Sequence, residues 1–258
     1  MLFSANLGFL WADLPLPAAI RAAARAGFDA VECHWPYAVP AAEVRQALDE
    51  TGLAMLGINT RRGGAGENGL AALPGRESEA RAAIDEALAY AVEIGCGSVH
   101  VMAGIAAGEA AEATFHANLT HACENAAQLG LTVLIEPLNP HDAPGYFLND
   151  ADQAARIIGK IGHPALKLMF DCYHLQICGG DLLCRFERLL PLIGHVQIAS
   201  VPDRGAPDHG ELDCAEVLGE IGALGWARPI GAEYRPVGAT DATLGWLPVL
   251  RQIAVSGA

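Results

Sequence analysis

Basic residues are scarce in this chain. Lys and Arg together number 16 against 30 Asp and Glu, a formal charge of −14 at pH 7. Such a surface repels nucleic acid and anionic lipid, so neither is expected as a partner. An anionic small molecule would need local positive charge against that background, which a metal ion and a few arginines can supply. No C-x-x-C occurs among the cysteines, Cys33, Cys96, Cys123, Cys172, Cys178, Cys184 and Cys214, and their number is odd. They read as buried, reduced thiols of a cytoplasmic protein. No uncharged apolar run approaches the ~20 residues of a membrane span. The opening MLFSANLGFLWADLPLP carries no base before Arg21 and includes Asp13, so it does not read as a signal peptide. No P-loop appears, and no G-x-G-x-x-G joins a predicted strand directly to a helix, so nothing points to a dinucleotide or nucleotide cofactor.

What is present is alternation. Short apolar runs predict strands over 2–9, 28–34, 53–59, 97–103, 131–137, 166–172, 194–200 and 229–235. Ala-rich stretches between them predict helices over 17–26, 41–51, 77–95, 111–129, 150–160, 181–190, 213–223 and 243–254. Gly27, Gly52, Gly95, Gly130, Gly162 and Gly225 stand where left-handed helix caps are expected. Strict alternation implies a parallel sheet, and eight units in 258 residues favour a closed barrel over an open sheet. No linker or composition shift divides the chain, so residues 1–258 read as a single α/β domain, a (β/α)₈ TIM barrel. The long irregular stretch 60–76 would lie at the catalytic face, as a lid or as a solvated Gly-rich turn.

Four oxygen-bearing side chains each end an apolar run. They are Glu136 after 131–135, Asp171 after 166–170, Gln197 after 193–196 and Glu233 after 229–232. Each step between them is about the length of one strand–helix unit, so a closed parallel barrel brings all four to one mouth. Three carboxylates and an amide carbonyl make a hard-oxygen site, suited to Mg²⁺ or Mn²⁺ rather than Zn²⁺. His174, three residues past Asp171, can reach into that mouth. Arg204, in the loop after Gln197, can clamp a substrate carboxylate with two hydrogen bonds. His100, ending the fourth strand, and Asn6 in the first are candidates for the pocket wall.

The segments IEPLN (135–139), PGYFLND (144–150), KLMFDCYHLQI (167–177), GHVQIASVPDR (194–204), PDHGELD (207–213) and GAEYRP (231–236) resemble the hydroxypyruvate isomerase family of xylose-isomerase-like TIM barrels. FSANLGFLW, AGFDAVE (26–32) and LAALPGRE (70–77) resemble it too, so the likeness spans nearly the whole chain. The resemblance implies that Glu136, Asp171, Gln197 and Glu233 bind one divalent ion, Mg²⁺ or Mn²⁺. It implies that Glu136 and Glu233 are the catalytic acid/base pair, and that His174 and Arg204 contact substrate oxygens. Sugar epimerases usually carry His at the strand-seven ligand, and Gln197 pulls toward the hydroxypyruvate isomerases. The implied substrate is a small anionic hydroxy-oxo acid, most simply hydroxypyruvate converted to tartronate semialdehyde through an enediolate. A 2-oxo-tetronate isomerase and a sugar 3-epimerase are the neighbouring readings.

Three other classes fit less well. A Schiff-base aldolase needs a lysine at the mouth. The only lysines are Lys160, at a predicted helix end, and Lys167, four residues before Asp171 and so about 13 Å from the strand end. A metal-dependent phosphodiesterase or endonuclease would want more histidine ligands and a basic groove. A non-catalytic sugar-acid-binding protein would not need two carboxylates flanking its ligand. The Ala-rich helix faces permit association into a homo-oligomer.

Overall fold

The computed structural model describes residues 1–253. Strands β1 (Phe3–Asn6), β2 (Ala30–Glu32), β3 (Ala54–Met55), β4 (Ile58–Asn59), β5 (Ser98–His100), β6 (Thr132–Ile135), β7 (Leu166–Asp171), β8 (Ile193–Ile198) and β9 (Ile230–Ala232) form one sheet. Every pairing is parallel, in the order β3-β2-β1-β9-β8-β7-β6-β5-β4. The predicted strand 53–59 is broken into β3 and β4, which makes nine strands of eight staves. At the break the Ser98 hydroxyl, 42 residues on, donates to Leu56 O at 2.7 Å and takes an acceptor the ladder would use. The segment still bonds on both sides, Leu56 N to Val31 O at 2.8 Å and Gly97 N to Met55 O at 3.1 Å. That closes the barrel.

Helices wrap the outside: α1 (Leu16–Ala26), α2 (Ala41–Thr51), α3 (Glu77–Ile94), α4 (Glu109–Leu129), α5 (Ala151–Ile161), α6 (Cys172–Gly179), α7 (Leu182–Leu189), α8 (Cys214–Ala223) and α9 (Trp246–Leu250). Asp150 and Asp213 cap α5 and α8, accepting from Gln153 N and from Ala215 N and Glu216 N. The predicted helix 243–254 is shorter than expected. A 3₁₀ turn at Thr240–Thr243 precedes α9, Gly245 stands between them with Pro248 in the first turn of α9, where proline is tolerated, and residue 254 lies outside the described residues. α6 is a helix the sequence did not reveal. It begins at Cys172, inside the apolar run assigned to a strand.

Aromatic edges lock helices to staves, as in Phe3 against Trp246 (5.2 Å) and Phe170 against Phe186 (5.2 Å). Five cysteines are buried and all seven are free; Cys178 is half-buried and Cys184 exposed, against the expectation that all would be inside. Among the described residues no helix is long and apolar enough to cross a membrane. The stretch 60–76 folds back onto the barrel rim. Its residues 64–69 have G-x-G-x-x-G spacing, but no helix opens before Glu77. Gly69 (φ +109) packs so close to Met102 that a Cβ would lie 2.3 Å from the Met102 carbonyl oxygen.

Candidate active site

Strand register brings the four oxygen-bearing residues together. Asp171 pairs with Gln197, and Gln197 with Gly231. Glu233 lies two residues beyond Gly231 and shares its face. Glu136 follows Ile135, which pairs with Leu168, so its neighbour is Met169, two residues before Asp171. Period-two alternation therefore turns all four toward the barrel interior. All are buried, Asp171 at 1% exposure and Glu233 at 6%.

Among the described residues each of three leaves one buried oxygen without a donor, and in Asp171 and Gln197 the other end is held. Asp171 Oδ1 accepts from Tyr173 N at 2.8 Å and so caps α6, while Oδ2 has no donor. Gln197 Nε2 donates to Glu32 Oε1 at 3.1 Å, while Oε1 has no donor. Glu136 Oε2 lies 3.5 Å from His100 Nδ1, while Oε1 has no donor. Leaving a buried acceptor unpaired costs about 1–3 kcal/mol. Three such oxygens at one barrel end, two of them carboxylate, fit a hard divalent cation.

Glu233 is different, because both its oxygens are engaged. Oε1 accepts from Asn6 Nδ2 at 2.8 Å and meets His34 Nε2 at 2.9 Å; Oε2 accepts from the Arg204 guanidinium. Gly8 makes room for that histidine, since a Cβ there would fall 2.1 Å from the His34 ring. Arg204 is buried, with φ +55, between the Phe9 and Tyr173 rings at 4.9 Å each. It lies 3.6 Å from Asp171 Oδ2 and 3.7 Å from Asp142 Oδ2. The fork expected to face a substrate carboxylate is turned among the protein's own carboxylates.

His174 Nδ1 accepts from Asn139 N at 3.0 Å, which assigns the ring proton to Nε2. That N–H lies 3.7 Å from Asp171 Oδ2 and 3.9 Å from Glu136 Oε1. Ligand atoms of Glu136, Asp171 and His174 sit within 4.8 Å of one another. With its proton on Nε2, His174 offers the cavity a donor rather than a lone pair. Burial pushes His174 down to about 3, helped by Arg204, and His100 down to about 4, so both rings are neutral near pH 7.

The carboxylates titrate apart. Burial drives Glu136 well above the usual range, and the charges of Glu233 and Asp171 add to it. Burial also pushes Asp171 up to about 7, with Arg204 opposing and Glu233 adding. Burial acts the same way on Glu233, but Arg204 and His34 outweigh it and hold this carboxyl well below its ordinary value. Environments that separate neighbouring carboxyls in this way are the setting for acid–base chemistry.

A cavity of about 340 Å³ opens over these groups, with Glu136, Glu233, His100, His174 and Arg204 on its wall and Asp171 and Gln197 behind it. Arg62 and Asn68 bring the 60–76 loop to its rim, Arg62 resting 4.8 Å above the Trp35 ring. A larger hollow of about 540 Å³, between 207–215 and 245–250, shares no residue with this cluster. Several site residues escaped the sequence reading: Glu32, His34, Asp142 and His195. Glu32 had a visible signal, since it ends the apolar run of AGFDAVE as Glu136 ends its own.

A closed parallel barrel with carboxylates gathered at its strand ends is the architecture of a TIM-barrel enzyme site. The model of the xylose isomerase-like TIM barrel family matches residues 20–250, and the chain belongs to that family. It is 46% identical over 254 residues to a 2-oxo-tetronate isomerase of Cupriavidus necator, covering 95% of this chain and 96% of that one. It is 43% identical to a Danio rerio protein provisionally named a hydroxypyruvate isomerase, covering 95% and 94%. The crystal structure of a Brucella melitensis protein named as an AP endonuclease of family 2 superposes with a TM-score of 0.93 at 38% identity, covering 96% and 98%.

Proposed function

We propose that this protein is a cytoplasmic isomerase of small hydroxy-oxo acids, converting hydroxypyruvate to tartronate semialdehyde or carrying out the same exchange on a 2-oxo-tetronate. The observation that carries the reading is one cavity bearing both Glu136 and Glu233 beside the bare oxygens of Glu136, Asp171 and Gln197. Relatives named for these isomerases, alike over nearly their full length, support it.

Glu136, Asp171, Gln197 and Glu233 would hold one Mg²⁺ or Mn²⁺. Such an ion, when bound, withdraws electron density from adjacent carbonyl and hydroxyl oxygens and acidifies the C–H between them. One of Glu136 and Glu233 takes that proton, leaving an enediolate, and the other delivers a proton to the former carbonyl carbon. The hydroxyl proton moves to the former carbonyl oxygen. Oxidation at one carbon balances reduction at the next, so no redox partner is required. His174 Nε2–H and the Phe9 ring, both on the cavity wall, position the substrate and exclude water. Arg204 balances the charge of Glu233 and holds that carboxylate in place at the cavity wall.

Raised carboxyls bind protons that a cation must displace. Metal affinity is therefore expected to climb as pH rises toward and through about 7, the value to which Asp171 is pushed up. The slope is about tenfold per pH unit for each proton released. Calorimetric titration with Mg²⁺ on either side of neutrality measures it, and a flat profile would refute the assignment.

Arg204→Lys keeps the charge but loses the planar fork that meets Glu233. It is expected to raise KM and lower kcat, for a fall in kcat/KM of about tenfold or more. If Arg204→Ala changes kcat/KM by under about twofold, or 0.5 kcal/mol, Arg204 has no part in the site.

Assay of purified protein on hydroxypyruvate and on a 2-oxo-tetronate, with and without Mg²⁺ or Mn²⁺, tests the reading. Both acids present the same reacting atoms, and one extra CHOH is worth about 1–3 kcal/mol of discrimination. Turnover of either supports the proposal. A nuclease reading is favoured by the name given to the similar Brucella melitensis protein. The net charge of −14 weighs against it, and cleavage of DNA in place of acid turnover would reverse that judgement.

A further inference from the structure

We propose that Glu32 is a positioning residue for the oxygen site: its carboxylate fixes which end of the Gln197 amide faces Glu136 and Asp171. This rests on the divalent-ion reading above. Glu32 ends β2, is 3% exposed and stands inside the barrel away from the cavity wall. Its Oε1 accepts from Gln197 Nε2 at 3.1 Å and from Asn6 Nδ2 at 3.3 Å, and its Oε2 meets His195 Nε2. The barrel leaves space for it. A Cβ on Gly231 would lie 2.4 Å from Glu32 Oε1, 2.9 Å from Gln197 Cγ and 3.0 Å from His195 Nε2.

An ionised carboxylate only accepts hydrogen bonds, so an amide facing it must present its NH₂. The Gln197 oxygen is then directed the other way, and that oxygen is the buried atom without a donor. An amide turned end for end has almost the same shape. Packing alone cannot choose between a carbonyl that binds a cation and an NH₂ that repels one; Glu32 chooses. Asn6, whose Oδ1 accepts from Gly8 N at 2.9 Å and whose NH₂ donates to Glu233 Oε1 at 2.8 Å, gives the same Glu32 oxygen its second donor. Partners of this kind, one shell behind a ligand, typically govern metal affinity by about 10–100-fold.

The test measures Mn²⁺ affinity by calorimetry or electron paramagnetic resonance, with melting temperature alongside, on the full chain. Glu32→Gln can present its own NH₂ and frees Gln197 to turn, so Mn²⁺ binding is expected to weaken about 10–100-fold. Adding Gln197→Glu to that variant restores the charge and supplies a ligand with no wrong way round. The double variant is expected to bind Mn²⁺ within about threefold of wild type, a recovery that general packing damage would not give. Glu32→Gln binding within about threefold of wild type overturns the proposal. So does a double variant no better than the single one. If the single variant does not fold, the double one decides: folding with binding supports the proposal, and folding without binding overturns it. A wild-type protein that binds no divalent ion overturns the metal reading, and this inference with it.

Discussion

Glu136→Gln and Glu233→Gln are each expected to lower kcat by about 10²–10⁴-fold, the usual worth of one general acid or base. Both substitutions keep the side chain's shape and remove its capacity to carry the proton. At position 136 the substituted atom lies in a group already deprived of donors, so an amide NH₂ gains neighbours rather than losing them, and folding should survive. At position 233 the loss of charge unpairs part of Arg204. Removing one partner of a buried pair can cost about 3–5 kcal/mol. Arg204 keeps Asp171 at 3.6 Å and Asp142 at 3.7 Å, so less than that is expected here. Each glutamate is also a candidate ligand, so metal content is measured with turnover. A variant that retains its ion and near-normal kcat would remove that glutamate from the chemistry.

Chelation of the divalent ion is expected to abolish activity, and Mg²⁺ or Mn²⁺ to restore it. Asp171→Asn should do the same without rescue. Its remaining oxygen would still cap α6 by accepting from Tyr173 N, which turns the NH₂ toward the other oxygens. A cation would then meet donors where it needs an acceptor. The expected loss of affinity is at least about 10²-fold, since loss of a supporting partner alone costs up to that much. Steady-state assay across a metal titration measures both effects. Full activity after exhaustive chelation, or in Asp171→Asn, would exclude the ion.

The staves and the four strand-end oxygens were legible because both follow from one-dimensional pattern: apolar runs of strand length, each closed by an acceptor. Alternation carries such residues to one barrel mouth whatever the loops do. What was illegible depends on contacts far apart in sequence. The break at Leu56–Gly57 is set by the hydroxyl of Ser98. The helix at Cys172 is a local exception: Asp171 acts as its cap, yet Cys172 closes an apolar run that reads as strand. The engagement of Arg204 with Glu233 joins the loop after one strand to the end of the next, and no local signal announces it. Glu32 is legible by the same rule as the others, since it closes the apolar run of AGFDAVE.

The most direct measurement is the fate of solvent deuterium. Metal-loaded protein is incubated in D₂O with hydroxypyruvate or a 2-oxo-tetronate, and both acids are followed by proton resonance. Proton transfer through Glu136 and Glu233 predicts tartronate semialdehyde, or the 3-oxo acid from a 2-oxo-tetronate, with solvent deuterium on the carbon that was the carbonyl. It also predicts wash-in at the hydroxyl-bearing carbon of recovered substrate. Conversion should fall in both the Glu136→Gln and Glu233→Gln variants, and wash-in in the one that lacks the abstracting glutamate. Acid that binds the metal-loaded protein yet returns unlabelled and unconverted would contradict the account and leave a binding protein in place of an isomerase.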